Sequence, residues 1–546
     1  MIKAHPLPHT RRMAAGVQQH YVGQLSLAAL AVIIATNAIV SFSHLRVLPV
    51  FDDEAIFVWY AHAAAHAHRL SDLFGSFNYA APPLFIWLGA IALHFNADQL
   101  VAVRSVSVLC GIATLAAIYV LAWQLYRDVT IGLLAAALCA FCPYEFMFNR
   151  MALLDPLVQL IGVLVAIQSV RLYRGLNLQA RQAVLLGILL GLGQLAKGTS
   201  TFFWLLPVLS WYVYDPGRVL SRLKRGMLIA APVAGALYSL ILASGNARNL
   251  LRPFFTIIKY SIATPYSGYY ASHPHIPITS RVIQNLGQWV SWQQTYVGYV
   301  LLGALLVAVA VCIFAKAQAD TFLLLWLSLP LAAMLVAKIY TSRYILFTIP
   351  IEFLLVSRVV VAMVSYARQW TCGKAVLLLG HRVRLTAMGV AVPFVALGLL
   401  YTVVFDVSRI AALRNDPATG YFVPDDRWQY IAGWPSGYGL DGLESYIRRL
   451  AKTKGVVVVA DPAHQPSSAL LYGLADNAHI QVRPAPLTQN RRSAPGMAAS
   501  KAAIVAVLDI PKDSLPAVEA AHPDWKPRMR QLKPGGQSQF VLLSND

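Results

Sequence analysis

Pro82-Pro83-Leu84-Phe85-Ile86-Trp87-Leu88-Gly89-Ala90-Ile91-Ala92-Leu93-His94-Phe95 decides how this chain is read, because it is the apolar run whose status sets the sidedness of everything after it. A helical span needs roughly 20 apolar residues, and this run is shorter and opens on two prolines. We therefore read it as a helix lying along a membrane surface. The other apolar runs fall near 24–42, 100–124, 131–148, 153–170, 183–196, 200–214, 226–243, 292–314, 321–337, 344–364 and 385–405. Those at 183–196 and 200–214 are short for a span.

Charge tests that choice. With the N-terminus inside, the inner connectors carry Arg127, then Arg171, Arg174 and Arg181, then Arg218, Arg222, Lys224 and Arg225, then Lys316, and last Arg368, Lys374, Arg382 and Arg384. Cytoplasmic connectors are enriched in Lys and Arg in this way. Counting 82–95 as a span would put the strongest basic cluster outside. The expected fold is thus an α-helical polytopic membrane protein with about eleven transmembrane helices, occupying residues 1–405. A first extracytoplasmic loop covers 43–99 and a long loop covers 244–291.

Composition agrees. Of 546 residues, 58% are hydrophobic and only 12% charged, about half the charge of an average soluble chain. The net charge of +20 is concentrated in the short connectors, where it meets anionic lipid; nucleic acid is the weaker reading. Lys3, Arg11 and Arg12 precede the first run, which we read as a retained anchor rather than a cleaved signal. Cys110, Cys139, Cys142 and Cys312 sit in apolar runs and Cys372 in an inner connector, so no disulfide framework is implied.

Residues 406–546 change character. Gly439–Lys452 and Ser514–Ala521 read as helices, and Gly455–Ala460, Ala502–Leu508 and Gln539–Leu543 as strands. They predict a small C-terminal extracytoplasmic α/β domain.

Ionisable residues gather on one face. Asp52, Asp53 and Glu54 follow the first span; Arg150 and Asp155 lie in Asn149-Arg-Met-Ala-Leu-Leu-Asp-Pro156; Lys197 and Arg343 flank later spans on the same side. Charge near hydrocarbon is costly and marks a polar cavity. Paired carboxylates there can serve as a general base or hold a divalent cation, while lysine and arginine neutralise phosphate. The bland readings are a helix start for the acids, a helix cap for Asp155, and snorkelling for Lys197 and Arg343. His62 and His66 have a metal-compatible spacing but no intervening carboxylate, which favours interfacial packing. Tyr260, Tyr266, Tyr269, Tyr270, His273 and His275 in the long loop suit sugar stacking or interfacial anchoring equally.

Phe51-Asp-Asp-Glu-Ala55, Ala81-Pro-Pro-Leu84 with Trp87, Arg104 before a span, Arg150…Leu154-Asp-Pro156, Lys197-Gly198-Thr199 and Ser342-Arg-Tyr344…Pro350 occur in an order that resembles the C-type (GT-C) glycosyltransferase superfamily. The resemblance spans about residues 24–365 and is to the branch of protein O-mannosyltransferases and lipid A aminoarabinose transferases. It implies an inverting membrane glycosyltransferase that moves a sugar from a polyprenyl-phosphate donor to an acceptor hydroxyl of protein, lipid or polysaccharide. Carried over by position, Asp53 is the general base, supported by Glu54 and Asp155. Arg343, Lys197, Arg150 and Arg104 face the donor phosphate, and a metal, if present, falls to Asp53 and Asp155. Ala81 stands where the branch often has Lys or His, so one donor or acceptor contact is absent or supplied elsewhere. The lack of a disulfide framework and the basic connectors suit a bacterial inner membrane, with the N-terminus expected in the cytoplasm and the C-terminal domain outside it.

The rival readings are a transporter or lipid flippase, for which Glu352 and Arg358 inside a span speak, and a scaffold carrying an outer α/β domain. Transporters commonly show internal repeats and midplane binding groups, and neither is evident here. Single cysteines placed at positions 53 and 155 of a cysteine-free protein are expected to react from the same, non-cytosolic side; reaction from opposite sides would overturn the shared chamber.

Overall fold

The computed structural model describes residues 8–79, 81–174, 179–215, 221–246, 248, 251, 277–337, 341–369, 376–378, 381–383, 387–460, 467–484 and 503–544. The long-loop tyrosines, His273, His275 and Cys372 lie outside these residues.

Among the described residues, seven helices are long and apolar enough to cross a membrane: Gly23–Phe42, Gln99–Tyr126, Asp155–Arg174, Leu223–Ser244, Gln318–Leu335, Ser342–Tyr366 and Pro393–Asn415. Val129–Phe141, Ala180–Ala196 and Tyr299–Ala315 are shorter apolar helices. The expected run at 200–214 begins as a 3-10 turn, Gly198–Trp204, and is α-helical only over Leu205–Tyr214. The 82–95 run forms Leu84–Ala92, nine residues. At 1.5 Å per residue that is roughly 14 Å, less than half the hydrocarbon thickness.

Local chemistry explains the breaks. Asp98 caps the helix at Gln99 by accepting from the Val101 N–H, and the helix ends where Arg127 turns left-handed (φ 56°). Asp128 then caps the next helix through the Thr130 N–H. The expected 131–148 run divides because Cys142 is extended and Pro143 begins a new helix, Pro143–Phe148. The last apolar helix continues past residue 405 to Asn415.

Position in the bundle follows burial. The helices carrying Asp155 and Arg343 are central, 83% and 78% buried along their apolar windows, whereas Gly23–Phe42 is 17% buried and turns its large apolar side chains outward. Helix Ala180–Ala196 approaches Ser221–Tyr238 closely enough that a Cβ at Gly187 would lie 2.4 Å from the Ala230 carbonyl oxygen. Small residues allow such contacts between membrane helices.

Beyond the last helix a five-stranded sheet runs in the order Ile480–Pro484, Val456–Ala460, Ala503–Pro511, Ser538–Ser544, Lys526–Leu532. The first three strands are parallel and the last two antiparallel to their neighbours. The expected strands are present, as are helices Leu440–Leu450 and Leu515–Ala521. The two outer strands went unread: Lys526–Leu532 alternates exposed and half-buried positions and carries lysine, arginine and proline, a sequence lacking the apolar run of a covered strand.

Segment 424–436 joins the membrane helices to this sheet. Lys533, 1% exposed, donates to Asp509 (2.6 Å) and to the carbonyls of Gly433 (3.0 Å) and Ser436 (2.6 Å). Ser436 forms an antiparallel bridge with Phe51, Gly437 N–H donates to Val50 O (2.7 Å), and Asp52 N–H to Pro435 O (2.9 Å). A Cβ at Gly437 would sit 2.4 Å from Val50 Cγ1, so only glycine permits this approach. Lys533→Met removes the ammonium from a buried carboxylate, and such losses cost about 3–5 kcal/mol. The expected result is a lower thermal unfolding midpoint for the detergent-purified protein, largely recovered in Lys533→Met/Asp509→Leu; an unchanged midpoint would contradict the clamp.

Candidate active site

Asp53 lies in the first turn of helix Asp52–Ala65. Glu54 fixes that turn by accepting the Phe51 N–H (2.9 Å), which satisfies a donor that the helix start leaves free. Asp155 opens helix Asp155–Arg174, with Pro156 in its first turn. Lys197 ends helix Ala180–Ala196 in an extended conformation, and Arg343 and Tyr344 lie in the 3-10 turn Ser342–Thr348. Four elements distant in sequence thus deliver two ion pairs to one place.

Arg343 is 2.5 Å from an Asp53 carboxylate oxygen, and Lys197 is 2.5 Å from Asp155. Both cations lie against the ring of Tyr344, at 4.5 Å for Lys197 and 5.4 Å for Arg343, so the pairs are neighbours. Asp155 also contributes to the field at Arg343. The four charged side chains are 9–19% exposed, dry enough for the interactions to be strong but not sealed.

Other expected residues are used differently. Glu54 and Arg104 are completely buried and form a bidentate pair at 2.8 Å. Arg104 also donates to the carbonyls of Leu45, Leu48 (2.9 Å) and Pro49 (3.2 Å), and Glu54 accepts the Ala152 N–H (2.6 Å). Arg104 thus has its donors taken up by protein acceptors, and Glu54 is engaged by Arg104 and by two backbone N–H groups. Arg150 likewise turns inward. It donates to the carbonyls of Ser41, Ser43 and His44, where the first helix ends, and rests on Phe146. Arginine at a helix C-terminus satisfies carbonyls that lack intrahelical partners.

Sequence reasoning missed two residues. Asp426, buried, accepts from Tyr296 OH (2.6 Å) and Ser342 Oγ (2.8 Å), and so holds the residue preceding Arg343. Burial pushes its carboxyl up to about 6, against the pull of those two hydroxyls. Tyr430, 1% exposed, packs its ring on Phe51 (4.9 Å) and Phe148 (5.9 Å). Asp425-Asp-Arg-Trp-Gln-Tyr430 is a mixed polar and aromatic stretch whose periodicity gives no sign that it returns to the membrane face.

Three of the buried polar atoms without partners among the described residues belong to this site: Asp52 Oδ1, Arg343 Nε and Tyr430 OH. Burial, and then the adjacent Asp53 carboxylate, push Asp52 well above the usual carboxylate range, with Arg343 opposing. The two orphan donors, an N–H and an O–H, fit an arriving anion.

A divalent cation fits less well, since Asp53 and Asp155 each already hold a cationic side chain. Among the described residues no group of three or more His, Cys, Asp or Glu is arranged for a metal. His62 and His66 stack at 4.4 Å, and His66 Nδ1 meets the His62 carbonyl (2.9 Å). Glu352 accepts from Gln293 (2.9 Å) and Thr348 (2.8 Å), and Arg358 faces Asp320 (3.8 Å). Separately, a polar cavity of ≈ 650 Å³ opens between the first loop and helix Leu440–Leu450, with Arg46, Asp98, Asp441, Glu444 and Arg448 on its wall.

Residues 80–246 match the family model described as dolichyl-phosphate-mannose-protein mannosyltransferase. No curated protein matches the chain by sequence. Among solved structures, apo ArnT from Cupriavidus metallidurans superposes with a TM-score of 0.56 at 13% identity, covering 96% of this chain and 98% of that one. The same protein bound to undecaprenyl phosphate gives 0.51 at 13% identity, with 94% and 98% covered. The apo oligosaccharyltransferase of Archaeoglobus fulgidus gives 0.51 at 13% identity, covering 84% of this chain but 64% of that one, so the chain spans just under two thirds of that protein. At such identities the likeness is one of fold; the family model covers the end of the first loop and the helices that follow, to residue 246. The chain thus has a fold similar to that of ArnT, and its residues 80–246 are similar in sequence to the mannosyltransferase family model.

Proposed function

We propose that this protein transfers a sugar from a polyprenyl-phosphate-linked donor to an acceptor hydroxyl at the extracytoplasmic face of a bacterial inner membrane, with inversion at the anomeric carbon. The observation that carries this reading is the adjacency of two carboxylate–cation pairs, Asp53–Arg343 and Asp155–Lys197, whose cations lie against the one ring of Tyr344. The family description and the undecaprenyl phosphate bound to ArnT support a lipid-phosphate donor.

The resting pairs suggest how the site would work. With Arg343 bound at 2.5 Å, an Asp53 carboxylate oxygen is occupied and is not free to take the acceptor proton. A donor phosphate entering between the pairs competes for Arg343 and Lys197, and its arrival releases Asp53. The acceptor oxygen then attacks the anomeric carbon, the bond from that carbon to the phosphate oxygen breaks, and the acceptor proton passes to Asp53. The carrier leaves as polyprenyl phosphate, its charge matched by Arg343 and Lys197, which is where electrostatic stabilisation counts most. Asp155 keeps Lys197 in place. Acceptor class, whether protein, lipid or polysaccharide, is set by surfaces away from these pairs.

Purified protein incubated with candidate polyprenyl-phosphate sugars is expected to release free carrier phosphate. Asp53→Asn is expected to lower transfer by about 10²–10⁴-fold, the usual worth of a general base, while carrier-phosphate binding persists. Wild-type turnover by that variant would remove Asp53 from the mechanism, and substrate flux without glycosylated product would favour transport instead. Arg343→Gln is expected to raise the KM for the donor more than that for the acceptor, as separate titrations of the two substrates would show.

A further inference from the structure

Tyr430 lies in a single π-helical turn, Trp428–Ala432, between the last membrane helix and the sheet. Isolated π turns often occur at functional sites, because the widened turn displaces a side chain from ordinary helical spacing. The turn is held from several directions. Gly433 N–H closes onto Trp428 O (2.7 Å), Ser436 Oγ donates to Tyr430 O (2.9 Å), and Lys533 grips the Gly433 and Ser436 carbonyls. The ring is wedged against Phe51 and Phe148, so the hydroxyl has little freedom to seek a partner elsewhere.

That hydroxyl is buried and has no hydrogen-bond partner among the described residues. Leaving such a donor unmet costs about 1–3 kcal/mol, and native structures seldom tolerate it without cause. Arg343, Asp426, Asp155 and Asp53 all act electrostatically on Tyr430. The carboxylates nonetheless have other partners: Asp53 has Arg343, Asp155 has Lys197, and Asp426 has Tyr296 and Ser342. Burial holds the phenol neutral, so it is available as an O–H donor rather than as a charge. Phe51 lies against both Tyr430 and Arg343 (5.0 Å from its ring), and Arg343 Nε is likewise unmet.

We propose that Tyr430 is a binding residue of the transfer site, donating its hydroxyl hydrogen bond to the phosphate of the lipid-linked donor. This rests on the phosphate-binding reading above. It makes segment 424–436 a wall of the membrane site: Asp426 positions Ser342 and hence Arg343, and Tyr430 adds a neutral donor beside that cation. A neutral donor suits a site that must let the carrier phosphate go after transfer, since it adds affinity without another charge.

The test measures binding of undecaprenyl phosphate, undecaprenol and inorganic phosphate to the full-length detergent-purified protein, wild type and Tyr430→Phe. Wild type is expected to prefer undecaprenyl phosphate to undecaprenol. Tyr430→Phe should weaken undecaprenyl phosphate binding about tenfold, the worth of one hydrogen bond to a charged group. It should leave undecaprenol binding and the thermal unfolding midpoint unchanged. Inorganic phosphate competing equally well with both proteins would place the hydroxyl away from the phosphate and overturn the proposal. Equal undecaprenyl phosphate affinity in the two proteins, or equal losses for undecaprenol and undecaprenyl phosphate, would overturn it too. A wild type with no preference for the phosphorylated lipid would sink the donor reading itself, and the inference with it.

Discussion

The bidentate pair between Glu54 and Arg104 is the constraint on which the rest of the site depends. Two opposite charges with no solvent exposure are tolerable only when their hydrogen-bonding capacity is met, because desolvation otherwise exceeds their attraction. Here it is met. Arg104 binds the carbonyls of Leu45, Leu48 and Pro49 as well as Glu54, and Glu54 binds the N–H groups of Phe51 and Ala152. Two side chains therefore tie the first loop, the helix bearing Asp53, helix Gln99–Tyr126 and the approach to Asp155. Asp53 adjoins Glu54 in sequence, and Asp155 follows Ala152 by three residues. The clamp sets how far apart the two candidate catalytic carboxylates can be.

Around that fixed centre the charges facing the chamber are mutually neutralised. Asp53 and Asp155 are each paired with a cation, while Asp52 is driven toward its neutral form by burial and by Asp53. A resting site of this kind avoids holding bare charge near hydrocarbon. In the proposed reaction it would also link catalysis to occupancy, because a phosphate is the natural competitor for both cations. The same economy appears in the sheet beyond the membrane, where buried Lys533 is matched by Asp509 and by two carbonyls of the segment that carries Tyr430 toward the site.

Much of the fold was legible in order and type. Apolar runs locate membrane helices because the bilayer demands internal backbone hydrogen bonding over a set length, and the valine-rich stretch at 456–460 reads as a covered strand for a similar reason. Where reading faltered, local chemistry intervened: Cys142-Pro143 divides a run, and the charged edge strand at 526–532 lacks an apolar signature. The ionisable residues of the site were legible as a group, since charge beside apolar sequence is conspicuous. Their division of labour was not. Arg104 and Arg150 differ from Arg343 and Lys197 only in what surrounds them once folded.

By itself the sequence determined a polytopic helical chain with basic connectors, an α/β segment after the last apolar run, and acids and bases placed beside the ends of apolar runs. These follow from hydropathy, span length and charge, which are properties of contiguous residues. Tertiary structure alone decided which carboxylate meets which cation, that Glu54 and Arg104 are sealed in the interior, and that Asp426 and Tyr430 return from beyond the last helix to border the site. Those pairings join residues tens to hundreds of positions apart, and hydrogen-bond geometry and burial exist only after the chain has closed on itself.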